Sequence, residues 1–391
     1  MDRTIFDEDH EMFRDASRAF LINEIKPFRD KWDEQEIVDR EAFLKAGEQG
    51  LLCMWADEKY GGAGITDFRF EQILLEENAK HGDVGFFIFL HNRLVGPYIG
   101  DLGTEEQKQR WLPKCVSGEY ILAVAMTEAG AGSDISAIRT KAEDKGDHYL
   151  LNGSKTFISN GILADLVIVA AKTDPNSSHG ISLFVVERGM EGFERGKNLK
   201  KMGMHSQDTA EMFFNNVKVP KENLLGEWNR GFYHLMHFLA EERLLSAVGS
   251  LANSEAAYEV TLEYATDRKV FGRAVADYQV NRFKFADMRM EMDVCQAFID
   301  QCVTAHNEGN LTADDAAKAK LFATELEDRV TDACVQLHGG NGYMDEYPIS
   351  RMYTAARVSR IYAGSSEIMR EIIARSIGLD PRQKKKKPKA A

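Results

Sequence analysis

The sequence predicts an α+β protein that is mainly α, with an N-terminal helical domain, a central antiparallel β-domain and a C-terminal four-helix-bundle domain. Three observations predict it. Apolar residues recur at helical spacing up to about residue 118. Short β-rich runs then take over as far as about residue 226, with Asn-Gly pairs between them. Helical periodicity returns up to about residue 378, in segments of roughly 20 to 40 residues, enough for a bundle of four or five helices. A chain of 391 residues suits two or three domains at roughly 150 residues each. The boundaries fall at 1–118, 119–226 and 227–378, followed by a basic tail, 379–391.

Each element has a local cause. Phe13, Ala16 and Phe20, then Leu21 and Ile25, make an apolar stripe that Pro27 ends. Further helices are predicted over 40–49, 68–80 and 105–117, the last with Thr104 as its N-cap. Residues 121–126, 148–151, 165–171, 181–187 and 211–219 read as strands. Asn152-Gly153 and Asn160-Gly161 lie between such runs and signal hairpins. No helical patterns alternate with these strands, which excludes a Rossmann sheet and favours an antiparallel barrel or sandwich.

Composition narrows the function. The chain is 44% hydrophobic and 28% charged, which excludes a disordered or fibrous protein. No apolar run approaches the roughly 18 residues of a membrane helix. The start, Met1-Asp2-Arg3, has neither the apolar core of a signal peptide nor transit-peptide character. Cys53, Cys115, Cys295, Cys302 and Cys334 are scattered without a CxxC. That pattern argues against a disulfide framework or a metal site and fits a reducing compartment. A net charge of −13 argues against a nucleic-acid-binding body. Against that balance, six positive charges crowd into residues 382–389. This tail reads either as a solvated end or as a tether to an anionic membrane surface, and the charge run alone does not choose.

Five segments carry candidate chemistry. Residues 125–134, AMTEAGAGSD, run from a strand into a glycine loop flanked by Thr127 and Ser133. Freed backbone N–H groups and hydroxyls there suit a phosphate or a heteroaromatic ring edge, although a tight turn has the same signature. Residues 152–161, NGSKTFISNG, offer Phe157 as a stacking ring or as core. Residues 267–273, DRKVFGR, supply arginines whose forked donors suit a pyrophosphate. Residues 336–342, QLHGGNG, read as a helix end or as a close backbone approach to a ligand. The fifth segment, 240–245, sets Glu241 and Glu242 before Arg243. Helical spacing puts Glu242 on the face of Leu235, Phe238, Leu239, Leu245 and Gly249, whereas Glu241 follows His234 and His237. Glu242 is therefore the expected buried carboxylate, and burial would raise its pKa toward that of a useful base.

Taken in order, AMTEAGAGSD, NGSKTFISNG, DRKVFGR and QLHGGNGYMDEYP resemble the successive flavin-site motifs of the acyl-CoA dehydrogenase family. The resemblance spans about residues 5 to 378 and is nearest to the long-chain type. It implies the acyl-CoA dehydrogenase fold, FAD as cofactor and a homotetramer. It also implies the α,β-dehydrogenation of acyl-CoA thioesters to trans-2-enoyl-CoA in fatty acid β-oxidation. In that reaction a carboxylate removes the α-proton, hydride leaves to flavin N5, and electrons pass to an electron-transfer flavoprotein. A backbone N–H and a flavin ribityl hydroxyl stabilise the enolate-like oxygen.

Many relatives carry the base in a late "YEG" loop. Here that loop reads Tyr362-Ala363-Gly364, and Ala363 cannot abstract a proton. Long-chain and isovaleryl types place the base on the earlier helix directly before an Arg, which is Glu242 before Arg243. The resemblance assigns Met126, Thr127, Gly132, Ser133, Phe157 and Ser159 to the flavin, with Phe157 where many relatives have Trp. It assigns Arg268, Phe271, Gln279, Gln336, Gly339 and Gly340 to FAD, largely across a subunit interface. Ser365 and Glu367 fall at its adenosine end. Ser133 and Arg243 become coenzyme A contacts, and Ala363 offers its N–H to the thioester. A relative's Asp that contacts adenine matches Ala240 here. Three rivals remain: a branched short-chain, isovaleryl-type dehydrogenase, an oxidase that passes electrons to oxygen, and a non-enzymatic flavin-bearing assembly subunit, which the presence of a base candidate disfavours. The expected compartment is a bacterial cytoplasm, with a processed mitochondrial matrix protein as the alternative.

Overall fold

The computed structural model describes residues 3–380, so the basic run at 382–389 lies outside the described residues. The chain forms two compact units, one ending at Phe238 and the other beginning at Leu239.

The first unit opens with helices α1 (Glu8–Phe20), α2 (Arg29–Gln35), α3 (Glu41–Glu48), α4 (Phe68–His81), α5 (Gly96–Leu102) and α6 (Glu105–Val116). Asp7 caps α1 by accepting from the Asp9 and His10 N–H groups. The buried face of α1 is His10, Ser17 and Phe20. The predicted stripe is thus displaced, because Ala16 stands one residue off that face and is exposed. The face continues through a π-turn, Leu21–Ile25, and Pro27 lies in the 3-10 turn after it. Leu21 and Ile25 join Trp32, Phe43, Leu74 and Phe86 in one core, which also takes in Leu163 from the β-region. Thr104 caps α6 as predicted, in a reciprocal box with Gln107.

Eight strands follow: β1 (Leu122–Ala125), β2 (Lys141–Asp144), β3 (His148–Ser159), β4 (Leu166–Lys172), β5 (Ile181–Glu187), β6 (Phe193–Asn198), β7 (Thr209–Pro220) and β8 (Leu224–Leu225). They form one sheet in the order β6-β7-β3-β2-β4-β5-β8, with β1 also on β4. The sheet is antiparallel except where β1 and β2 meet β4. The two Asn-Gly pairs are not hairpins. Strand β3 runs straight through Asn152-Gly153, where the register slips against β7. A Cβ on Gly153 would lie 2.5 Å from the Thr140 hydroxyl, so this glycine serves a bulge and a close strand approach. Asn160-Gly161 does turn the chain, but it leads to β4, which is separated from β3 by β2.

The long helix α7 (Gly231–Asp267) carries the chain into the second unit. There follow the two-residue strands β9 (Lys269–Val270) and β10 (Arg273–Ala274), then α8 (Gln279–Asn307), α9 (Ala313–His338), α10 (Pro348–Ala356) and α11 (Ser366–Ser376). Three helices have the predicted length, but α10 and α11 have only 9 and 11 residues. Gly339 ends α9 and Pro348 restarts the chain at the head of α10, which divides the last predicted run. Among the described residues no helix is long and apolar enough to cross a membrane.

Candidate active site

In the first unit, β1 delivers Met126 and Thr127 to the edge of the sheet, both half-buried. The following loop closes with mutual Glu128 and Ala131 backbone bonds. Gly132 and Ser133 stand exposed beyond it. The Thr156 N–H donates to the Thr127 carbonyl at 2.9 Å, which joins this loop to β3. A register shift after Lys155 then turns Phe157 out of the sheet, with φ +59° and 67% of its surface exposed. Ser159 is half-buried two residues on. A large ring held outward in left-handed backbone is a strained arrangement that the surrounding strands must maintain.

What holds it is an ion pair that the sequence reading missed. The buried Lys155 ammonium donates to the Met126 carbonyl at 2.9 Å and to Glu128 Oε1 at 2.8 Å. Glu128 also accepts from the Arg139 and Thr140 N–H groups. Burial pushes the Glu128 carboxyl up, but Lys155 and those two N–H groups more than offset this and hold it below its ordinary value. Burial lowers the Lys155 ammonium to about 8. The available signal was a lysine in an inward register of a strand.

The second unit assembles another set. Arg268 lines a cavity of about 400 Å³ together with Val260, Glu263, Tyr264, Asp267, His338 and Tyr347. The Tyr264 ring stacks on His338 at 4.2 Å, and its hydroxyl donates to the His338 carbonyl. This contact brings the end of α7 beside the glycine turn at the end of α9. His338 Nδ1 is bonded to the Cys334 carbonyl, so His338 is a satisfied structural histidine. Gln336, Gly339 and Gly340 are exposed at that turn, and a Cβ on either glycine would meet nothing within 4 Å. Phe271, between β9 and β10, is 99% exposed with φ +49°. Gln279 heads α8 and is also exposed.

The carboxylate pair on α7 separates as its periodicity predicts. Glu242 is 4% exposed, whereas Glu241 is paired with His306 at 3.1 Å. Arg243 is buried as well, and its Nε has no acceptor among the described residues. Burial lowers its affinity for a proton, against the pull of Glu242. A buried guanidinium with an unfilled donor suits an anionic ligand. Ala240 is half-buried. The late loop places Ala363 at φ +50° and Gly364 at φ +94°, a conformation that costs a non-glycine residue about 1–2 kcal/mol. Ser365 is the N-cap residue of α11, and Glu367 lies exposed in its first turn.

Three family models match the chain in order. They are the acyl-CoA dehydrogenase N-terminal domain over 7–119, the middle domain over 123–217 and the C-terminal domain over 229–378. The chain belongs to the acyl-CoA dehydrogenase family. It is accordingly an FAD-dependent oxidoreductase of this fold. It is 46% identical to the mitochondrial long-chain specific acyl-CoA dehydrogenase of Rattus norvegicus, over 97% of this chain and 88% of that protein. It is 37% identical to the isovaleryl-CoA dehydrogenase of Pongo abelii, over 95% of this chain and 89% of that one. The crystal structure of an acyl-CoA dehydrogenase from Geobacillus kaustophilus superimposes with a TM-score of 0.95 at 47% identity, covering 97% of this chain and all of that one.

The residues present fit FAD. Phe157 and Phe271 offer aromatic faces, Arg268 a cation beside an open cavity, and the glycine turns free backbone. These are the chemistries that an isoalloxazine ring, a pyrophosphate and an adenosine require.

Proposed function

We propose that this chain oxidises long, straight-chain acyl-CoA thioesters to trans-2-enoyl-CoA in fatty acid β-oxidation, with Glu242 as the base. One observation carries the reading: the buried carboxylate lies on α7 while the late loop holds Ala363, which has no proton-accepting group. Bound FAD supplies the acceptor for the β-hydrogen and its electron pair. The chain's own residues do the rest. Glu242 takes the α-proton in surroundings that exclude water. The Ala363 N–H donates to the thioester oxygen as negative charge develops there. Ser133 and Arg243 hold the coenzyme A portion. Met126, Thr127, Gly132, Ser133, Phe157 and Ser159 flank the ring, and Arg268, Phe271, Gln279, Gln336, Gly339 and Gly340 hold the remainder of FAD. Ser365 and Glu367 serve its adenosine end.

The long-chain assignment rests on 46% identity against 37% for the isovaleryl relative, and the branched short-chain substrate is the second reading. Electron-transfer flavoprotein is the proposed acceptor, in place of oxygen. A homotetramer is supported by an exposed apolar stripe on α8, formed by Val280, Phe283, Met290, Val294 and Phe298. All five cysteines are buried free thiols, which suits a reducing compartment, and we assign the enzyme to a bacterial cytoplasm. The division at residues 118 and 226 is retained as its domain plan.

Glu242→Gln tests the base. The variant is expected to keep FAD and lose at least a hundredfold in turnover, and activity within about tenfold of wild type overturns the assignment. Adding Ala363→Glu to that variant is expected to restore part of the rate, since both positions then face one α-carbon.

A further inference from the structure

Lys320 is among the largest side chains with no exposed surface, and the oxidation proposed above does not use it. It projects from α9, and its ammonium donates to the Gly364 carbonyl oxygen at 2.8 Å. No carboxylate lies within ion-pair distance of it among the described residues. A cation kept fully buried on a single neutral acceptor is an expensive arrangement, which a methionine of similar length would avoid. Its acceptor belongs to the turn that carries Ala363. Two successive left-handed residues, Ala363 and Gly364, form that turn. A Cβ on Gly364 would meet the Met369 methyl at 2.6 Å, so the turn is closely packed on α11. The Ala363 N–H has no acceptor among the described residues. It is a strained donor left unfilled, and Lys320 ties down the next residue.

We propose that Lys320 is a positioning residue: by holding the Gly364 carbonyl it fixes the Ala363–Gly364 turn, so that the Ala363 N–H stands aimed at the thioester oxygen. Lys320 itself touches no reacting atom. The role rests on the oxidation proposed above. Burial, with the positive charges of Arg243 on α7 and Arg360 before the turn, lowers the Lys320 ammonium to about 8, against Glu327 and Glu325 of its own helix. Its hold on the carbonyl therefore weakens as pH rises past that value, when the charge is lost.

The test uses the holoenzyme and trans-2-hexadecenoyl-CoA carrying 13C at its carbonyl, with crotonyl-CoA as the probe if only short chains are oxidised. Binding to wild type is expected to lower the carbonyl stretching frequency, because the N–H polarises the C=O bond. Lys320→Met is expected to keep its FAD, lose at least half of that shift, and lose tenfold or more in kcat with KM within threefold. Lys320→Gln, which still offers an N–H, is expected to recover part of both. A wild-type frequency shift together with kcat within threefold in Lys320→Met overturns the proposal, even if the melting temperature falls. If Lys320→Met does not fold, the wild-type shift is followed from pH 6.5 to 9.5. Weakening with a midpoint near 8 supports the proposal, and a flat response overturns it. Failure of the underlying reading looks different, because wild type would then be reduced by no acyl-CoA at all.

Discussion

At the scale of single residues, buried charges carry the site. Lys155→Met would leave Glu128 half-buried with its cation gone and would release the Met126 carbonyl. Breaking such a pair costs roughly 3 kcal/mol. The variant is expected to purify with less than half its FAD and to melt earlier than wild type, as read from flavin absorbance and calorimetry. Full flavin content with an unchanged melting temperature would show that the clamp does not hold the loop. The burial of Glu242 rather than Glu241 was legible in the sequence, because helical periodicity alone sorts two adjacent residues onto different faces. The pairings of Lys155 and Lys320 were not. Their partners lie 27 and 44 residues away, and no local pattern reports that a charge has found a distant mate. The exposure of Phe157 was equally hidden, since the register slip that turns it outward depends on pairing with β7.

At the scale of elements, capping and periodicity read well where the causes are local. The Thr104 hydroxyl accepts from the Gln107 N–H, and the Gln107 side-chain Oε1 accepts from the Thr104 N–H. The same Gln107 amide donates to the Glu222 and Leu224 carbonyls near β8. Thr104→Ala is therefore expected to cost about 1 kcal/mol in denaturant unfolding, and Gln107→Ala more, since it also frees two carbonyls. Equal costs would mean that the link to the sheet adds nothing. Strand β5 was predicted at its observed bounds because it is a continuous apolar run buried on both faces. Strands β2 and β6 escaped prediction because Lys141–Asp144 and Phe193–Asn198 are mostly polar and carry little alternation. The pairing of β2 with both β3 and β4 depends on the rest of the sheet. Helices α10 and α11 merge into longer runs in the sequence because an amphipathic period survives across a turn that glycine and proline impose.

At the scale of the whole molecule, the buried titratable groups pull stability in opposite directions with pH. Burial holds His91 down to about 4. The Leu122 N–H donates to its Nδ1 while its Nε2 reaches the Cys115 carbonyl, so the neutral ring with a proton on Nε2 satisfies both partners. The unfolded ring takes a proton near 6.5 and the folded ring only near 4, so this contribution is lost as pH falls between them. Glu327 acts the other way. Burial raises its carboxyl from 4.5 to about 7, so the folded state keeps a proton that the unfolded state has released, and stability drops as pH rises from 4.5 to 7. Glu327→Gln, which keeps an acceptor for the Asn253 amide, is therefore expected to raise stability at pH 8 by roughly 3 kcal/mol and to change much less at pH 5. An equal effect at both pH values would show that folding does not raise the Glu327 carboxyl.

The proposed reaction is the oxidation of long acyl-CoA thioesters. Anaerobic titration of the purified yellow protein with saturated acyl-CoAs from four to eighteen carbons tests it most directly, by following the visible flavin absorbance. Complete bleaching is expected, at the lowest concentrations for straight chains of fourteen carbons or more. Bleaching by short branched chains alone would contradict the substrate. A flavin that no acyl-CoA reduces would contradict the reaction itself.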